Sequence, residues 1–148
     1  MTKTDRDQVQ ELLITYFACV DAGDFDGLGD CFVSDAEATY NSNVCTGRDA
    51  IVGLTKHRTV ALDAMQHYVT NFVVDIDGDT ARMTAHILAQ HVRYNTPGGD
   101  AYLVGGRYNV EARRIGGKWK IARIKAASAW GDGNPAVFPY LPHAPDAG

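Results

Sequence analysis

Between residues 5 and 20 the apolar side chains fall at Val9, Leu12, Leu13, Tyr16, Phe17 and Val20. That is the i, i+3, i+4, i+7 spacing of one helix face, so an amphipathic helix is predicted there. Thr4 stands at the N-cap position and Gly23 at the point where the pattern stops. Asp24 can cap a second short helix carrying Phe25, Leu28, Cys31 and Phe32. Residues 36–41 read as a strand, and residues 48–62 as a third helix beginning near Gly47 and Arg48.

From Gln66 the period changes from helical to alternating. Stretches 66–76, 80–94, 101–114 and 119–130 are rich in β-branched and aromatic residues. Asp77-Gly78, Pro97-Gly98-Gly99 and Gly116-Gly117 separate them as turn signals. Helices first and a long antiparallel meander afterwards predict an α+β domain with helices on one face of one sheet. Strands this long must curl. Gly105 and Gly106, with Ala126, Ala127 and Ser128, mark either room for a ligand on the concave face or a β-bulge. The expected domain runs over 1–132. Residues 133–148 carry Pro135, Pro139, Pro142 and Pro145 and read as an irregular tail.

A chain of 148 residues fits one domain that buries its core without disulfides or metal. Its formal charge of −4 argues against nucleic acid. The nearest basic group, Arg113, Arg114, Lys118 and Lys120, reads as a solvated hairpin tip. Cys19, Cys31 and Cys45 cannot all pair within one chain, and no CxxC occurs, which suits a reduced, cytoplasmic protein. The polar start MTKTDRDQVQ has no signal-peptide pattern, and no apolar run approaches a membrane span.

Asp21 continues the apolar stripe of the first helix, four residues after Phe17. Either it turns to solvent beside Gly23, or it points inward and requires a partner. Alternation places His67 on a face with Val69, Asn71 and Val73, and His91 on a face with Ala85, Ile87 and Ala89. His86 points the other way, and His57 and His143 look peripheral. An inward His beside a carboxylate is a competent general base, because the carboxylate fixes its tautomer and stabilises imidazolium. Tyr16 and Tyr40 are either ordinary core or donors to a carbonyl and its developing enolate. No P-loop, GxGxxG, GxSxG or HExxH is present. Neither a metal nor a cofactor is expected.

Several fragments resemble the nuclear transport factor 2-like superfamily and, within it, the SnoaL-like group containing scytalone dehydratase. Val20-Asp21-Ala22-Gly23-Asp24-Phe25-Asp26-Gly27-Leu28 is similar to the segment that bears the dehydratase's catalytic Asp, with Tyr40 at the spacing of a pocket Tyr. Gln66-His67-Tyr68-Val69-Thr70-Asn71 and His91-Val92-Arg93-Tyr94 resemble the runs with its two histidines. Gly117-Lys118-Trp119-Lys120-Ile121 through Ala129-Trp130-Gly131 resembles the closing strand. Val20 stands where the dehydratase has a Tyr, and Gly106 and Tyr108 stand where it has Ser and Asn, so scytalone is not the expected substrate. Tyr16, five residues before Asp21, is similar to a feature of bile-acid dehydratases.

The resemblance implies a cone-shaped α+β barrel, with three helices against a strongly curved sheet. It implies Asp21, His67, Tyr40, Tyr16 and His91 as catalytic residues. The implied pocket is lined by Val20, Val69, Asn71, Ile87, Ala89, Val104, Gly106, Tyr108, Ile124, Ala126 and Ser128. The implied function is a cofactor-independent lyase, a dehydratase of a hydrophobic cyclic or polyketide-like carbonyl compound. A polyketide cyclase or ketosteroid-type isomerase is the alternative enzyme, and a small-molecule-binding module the alternative of another class. Separately from the resemblance, Tyr68, Phe72, Val74, Leu88 and Val92 are expected on the outward sheet face, an apolar area that a homo-dimer or homo-trimer covers, the alternative being cover by helices or the tail.

Overall fold

The computed structural model describes residues 1–139. Helix α1 spans Asp5–Ala22. Thr4 and Asp7 close a capping box at its start, and Gly23 ends it in the left-handed region at φ 68°. Its six predicted apolar residues are all buried. Asp24 caps α2, Phe25–Asp30, through the Gly27 amide. This helix is shorter than expected, because Phe32 begins strand β1, Phe32–Tyr40. A second strand that the pattern did not announce, β2 (Asn43–Thr46), folds back on β1 before α3, Arg48–Thr59. Four residues, all exposed but the half-buried Cys45, carry too little hydrophobic signal to be read locally.

The meander comprises β3 (Ala64–Asp77), β4 (Thr80–Val92), β5 (Ala101–Ile115) and β6 (Lys118–Gly133). The six strands form one sheet in the order β2-β1-β6-β5-β4-β3. Every neighbouring pair is antiparallel except β1 with β6. The helices pack on one face: α1 lies across β3 and touches β4 and β6, and α3 covers β1. The core lies between that face and the helices, around Leu13, Phe32, Ile51, Met83, Ile121 and Ile124. A short 3₁₀ turn, Pro135–Val137, gives regular structure to the start of the expected tail. The remaining tail, including His143, lies outside the described residues.

Two bulges re-aim side chains. In β3 the register with β4 shifts between Thr70 and Val73, and Asn71 adopts φ 57°. The extra residue inverts the alternation. Val69 faces inward before it and Phe72 and Val74 face inward after it, whereas Asn71 and Val73 are exposed. The expectations that Asn71 lines the pocket and that Phe72 and Val74 face outward are therefore corrected.

The second bulge lies between Gly105 and Gly106 where β5 meets β6. Trp130 fills the space beside Gly105, 2.2 Å from where a Cβ would sit, and a Cβ on Gly106 would meet the Ala127 carbonyl at 2.5 Å. These glycines serve close chain approach, and Gly106 leaves no room for a ligand. Ser128, opposite Gly106, is exposed, with its amide donating to Asn41 Oδ1 at 3.0 Å. Ile124 is fully buried core and is not an open pocket wall.

Candidate active site

Asp21 sits in the last turn of α1, and its carboxylate reaches across to β3. Asp21 Oδ1 lies 2.6 Å from His67 Nδ1, and Asp21 Oδ2 accepts from the His67 backbone amide at 3.0 Å. One carboxylate thus grips both the chain and the ring of the same residue. With Nδ1–H donating to the carboxylate, Nε2 is left as the free base. Phe17 stacks on the His67 ring at 4.8 Å, and His91 meets it edge-on at 5.6 Å. The pair keeps some access: the side chains are 11% exposed for His67 and 27% for Asp21.

His91 faces inward from β4 with Ala85, Ile87 and Ala89, while His86 and Leu88 face outward. Its Nδ1 lies 3.2 Å from the Tyr102 carbonyl. Burial, followed by the neighbouring His67, pushes its pKa down to about 4. The ring is neutral at neutral pH, with Nδ1–H donating to the carbonyl and Nε2 an acceptor. Phe138, just past the 3₁₀ turn, packs on it at 4.7 Å. Asn134 ties that turn to the β4–β5 loop, donating from Nδ2 to the carbonyls of Pro97 and Gly99.

Three phenols continue the wall. Tyr16 and Tyr40 are buried and share a 3.0 Å hydroxyl–hydroxyl bond. Tyr108 packs edge-on against Phe17 and tilted against Tyr16, yet stays half-buried. Burial raises the pKa of all three, so each is a neutral hydrogen-bonding phenol. Val20, Ile87 and Ala89 are buried around this group, and Val69, Val104 and Ala126 are half-buried. Among the described residues no group of three His, Cys, Asp or Glu is spaced to hold a metal ion.

Two side-chain arrangements were not anticipated. Arg58 of α3 places its guanidinium 5.4 Å from the centre of the Tyr40 ring. Its spacing of three from Thr55 and seven from Ile51 was the available signal, since both are buried on that helix face. Arg114 is no solvated hairpin residue either: it bonds Asp5 at 2.7 Å and Asp79 at 2.9 Å and lies over Trp119.

The SnoaL-like domain matches residues 1–125. The chain belongs to that family. This SnoaL-like protein is 31% identical over 141 residues to terrestric acid biosynthesis cluster protein E of Penicillium crustosum, covering 91% of this chain and 90% of that one. Among solved structures it resembles a candidate aromatic ring hydroxylase from Novosphingobium aromaticivorans, with TM-score 0.80 and 30% identity over 90% of this chain and 95% of that one. A candidate scytalone dehydratase from the same organism superposes with TM-score 0.78 at 22% identity, covering 86% and 85%. A hexachlorocyclohexane dehydrochlorinase from Novosphingobium barchaimii does so with TM-score 0.77 at 19% identity, covering 93% and 94%. The last two likenesses concern the fold, an α+β cone of the nuclear transport factor 2-like kind. No described helix of this SnoaL-like protein is long and apolar enough to cross a membrane.

Proposed function

We propose that this protein is a cofactor-independent lyase, a dehydratase acting on a hydrophobic cyclic or polyketide-like carbonyl compound. The observation that carries the reading is the two-point grip of Asp21 on His67, which leaves Nε2 bare and oriented. Nε2 takes the proton from the carbon beside the carbonyl, and the electron pair moves to the carbonyl oxygen as an enolate. Tyr108, the half-buried phenol of the wall, is the best-placed donor to that oxygen, since Tyr16 and Tyr40 are bonded to each other. The enolate then expels hydroxide, which takes the proton back from imidazolium and leaves as water. His91, neutral at pH 7, accepts a hydrogen bond in this scheme and stores no proton. The relative from a biosynthesis cluster supports a secondary-metabolite substrate. A cyclase or isomerase shares the first step, and product analysis separates them.

The test offers β-hydroxy cyclic ketones and follows the rise of enone absorbance, with deuterium uptake from D₂O beside the carbonyl as a second readout. The expected result is elimination in the wild type and its loss in His67→Gln. Deuterium uptake without elimination would favour isomerase or cyclase chemistry. Binding with neither would leave a ligand-binding module.

The same reading extends to assembly. Tyr68, Leu88, Gly105 and Trp130 lie in one cross-strand row on the face away from the helices, and the three large side chains are exposed. A second row there alternates in charge: Asp75, Arg82, Glu111, Arg123 and Glu37. These rows support a homo-dimer in which two sheet faces meet, because a two-fold axis between the strands of Glu111 and Arg123 sets four of the five charges against their opposites.

A further inference from the structure

Arg58 lies where the periodicity of α3 would place another core side chain. Its guanidinium stands over Tyr40, whose hydroxyl joins the phenol pair of the site. Stacking on a ring uses the face of the guanidinium and leaves its in-plane N–H groups free. Among the described residues none of those N–H groups has a hydrogen-bond partner, and no carboxylate stands within ion-pair distance of Arg58. Arg113, Arg114 and Arg123 are each paired with Asp or Glu, whereas Arg58 shares its unpaired state with Arg6, Arg48, Arg82, Arg93 and Arg107 and differs from them in standing over a phenol of the site. Asp21 commits both oxygens to His67 and offers Arg58 nothing. The positive charge is nonetheless felt at Tyr16, Tyr40, Tyr108 and His91, so it acts on the same interior. A half-buried fork of donors with no counter-charge, beside an aromatic wall, is suited to a planar anion.

We propose that Arg58 is a specificity-determining residue that holds a carboxylate of the substrate at the Tyr40 end of the site. The inference rests on the dyad reading and narrows its substrate class to hydroxy-carbonyl compounds that also carry a carboxylate. The negative group would be anchored by Arg58, with the ring lying along the phenols and the acidic C–H presented to His67.

The test is calorimetric titration of the full chain at pH 7.5 with two probes of equal shape, 2-naphthoate and 2-naphthamide. The wild type is expected to bind naphthoate about tenfold or more tighter than the amide. Arg58→Gln should bind the two equally, with the amide unaffected. Arg58→Lys should recover part of the preference, since it restores charge without the fork. Equal binding of the probes by the wild type, failure of naphthoate to bind at millimolar concentration, or a preference kept in Arg58→Gln would each overturn the proposal. Where Arg58→Gln does not fold, Arg58→Lys decides: a preference equal to that of the wild type counts against it. His67→Gln should keep the preference, so a failure of the elimination reading leaves this result standing. A failure of anion recognition in turn leaves the dyad kinetics untouched.

Discussion

Asp21 occupies the last turn of α1, where the helix carbonyls already concentrate negative charge. A carboxylate is unfavourable there unless donors meet it, and His67 supplies two. Asp21→Asn keeps the shape but removes the charge that stabilises imidazolium. It is expected to cut turnover by about 10²–10⁴-fold. His67→Gln should cost a similar factor, and the double variant little more than either single, because the pair acts as a unit. Steady-state rates on an eliminated substrate measure this, and wild-type turnover in both singles would make the dyad structural. His91 sets a pH dependence of stability. Its folded value of about 4 lies below the ordinary 6.5, so the unfolded chain takes the proton first. The stabilising contribution is whole above about pH 6.5 and lost as pH falls towards 4. Urea denaturation at pH 7 and pH 4.5 should show His91→Asn sparing about 2–3 kcal/mol of the acid loss seen in the wild type. Alternation puts His67 and His91 in one interior, whereas spacing leaves Asp21 open between solvent and interior and only the family resemblance places it at the site. The protonation state of His91 was not legible, since it follows from burial that alternation alone does not quantify.

β3 shows how one residue redirects an element. The bulge at Asn71 lets His67 and Val69 face the site and Phe72 and Val74 face the core beneath α1, although an uninterrupted strand would place these pairs on opposite faces. Asn tolerates φ 57° better than β-branched residues do. Asn71→Val is therefore expected to destabilise the fold by about 1–2 kcal/mol, and Asn71→Gly to be close to neutral, as read by urea unfolding. A β-branched variant as stable as the wild type would show that the strand slips to a regular register instead. The bulge escaped the sequence because Asn-Phe-Val-Val continues to look like a strand whichever face each residue takes.

At the level of the whole molecule, all three helices lie on one side of the sheet and leave the other face bare. An open depression of about 830 Å³ runs over that bare face, lined by Glu37, Asp75, Arg82, Glu111 and Arg123 among others. A homo-dimer there predicts a light-scattering mass of twice the 16.1 kDa chain at micromolar concentration. Leu88→Asp, at the centre of the apolar row, should return the chain to a monomer with its fold intact by circular dichroism. A monomeric wild type would remove the assembly reading without touching the site. Outward apolar residues suggest the oligomer, but two of the five, Phe72 and Val74, turn inward past the bulge.

Legible in the chain alone are the order of the three helices, β1 and the long strands (but not β2), the buried stripe of α1, its caps, the turns of the meander and the inward placement of His67 and His91. Each of these is set by local periodicity or by the conformational demand of one or two residues. The folded arrangement sets β1 parallel to β6, seats Trp130 in the gap over Gly105 and carries Phe138 onto His91 through the 3₁₀ turn. It also brought Arg58 over Tyr40, two residues whose relation depends on how α3 lies against β1. These are contacts between segments distant in the chain. Chain closure and packing choose them, and no local pattern records them.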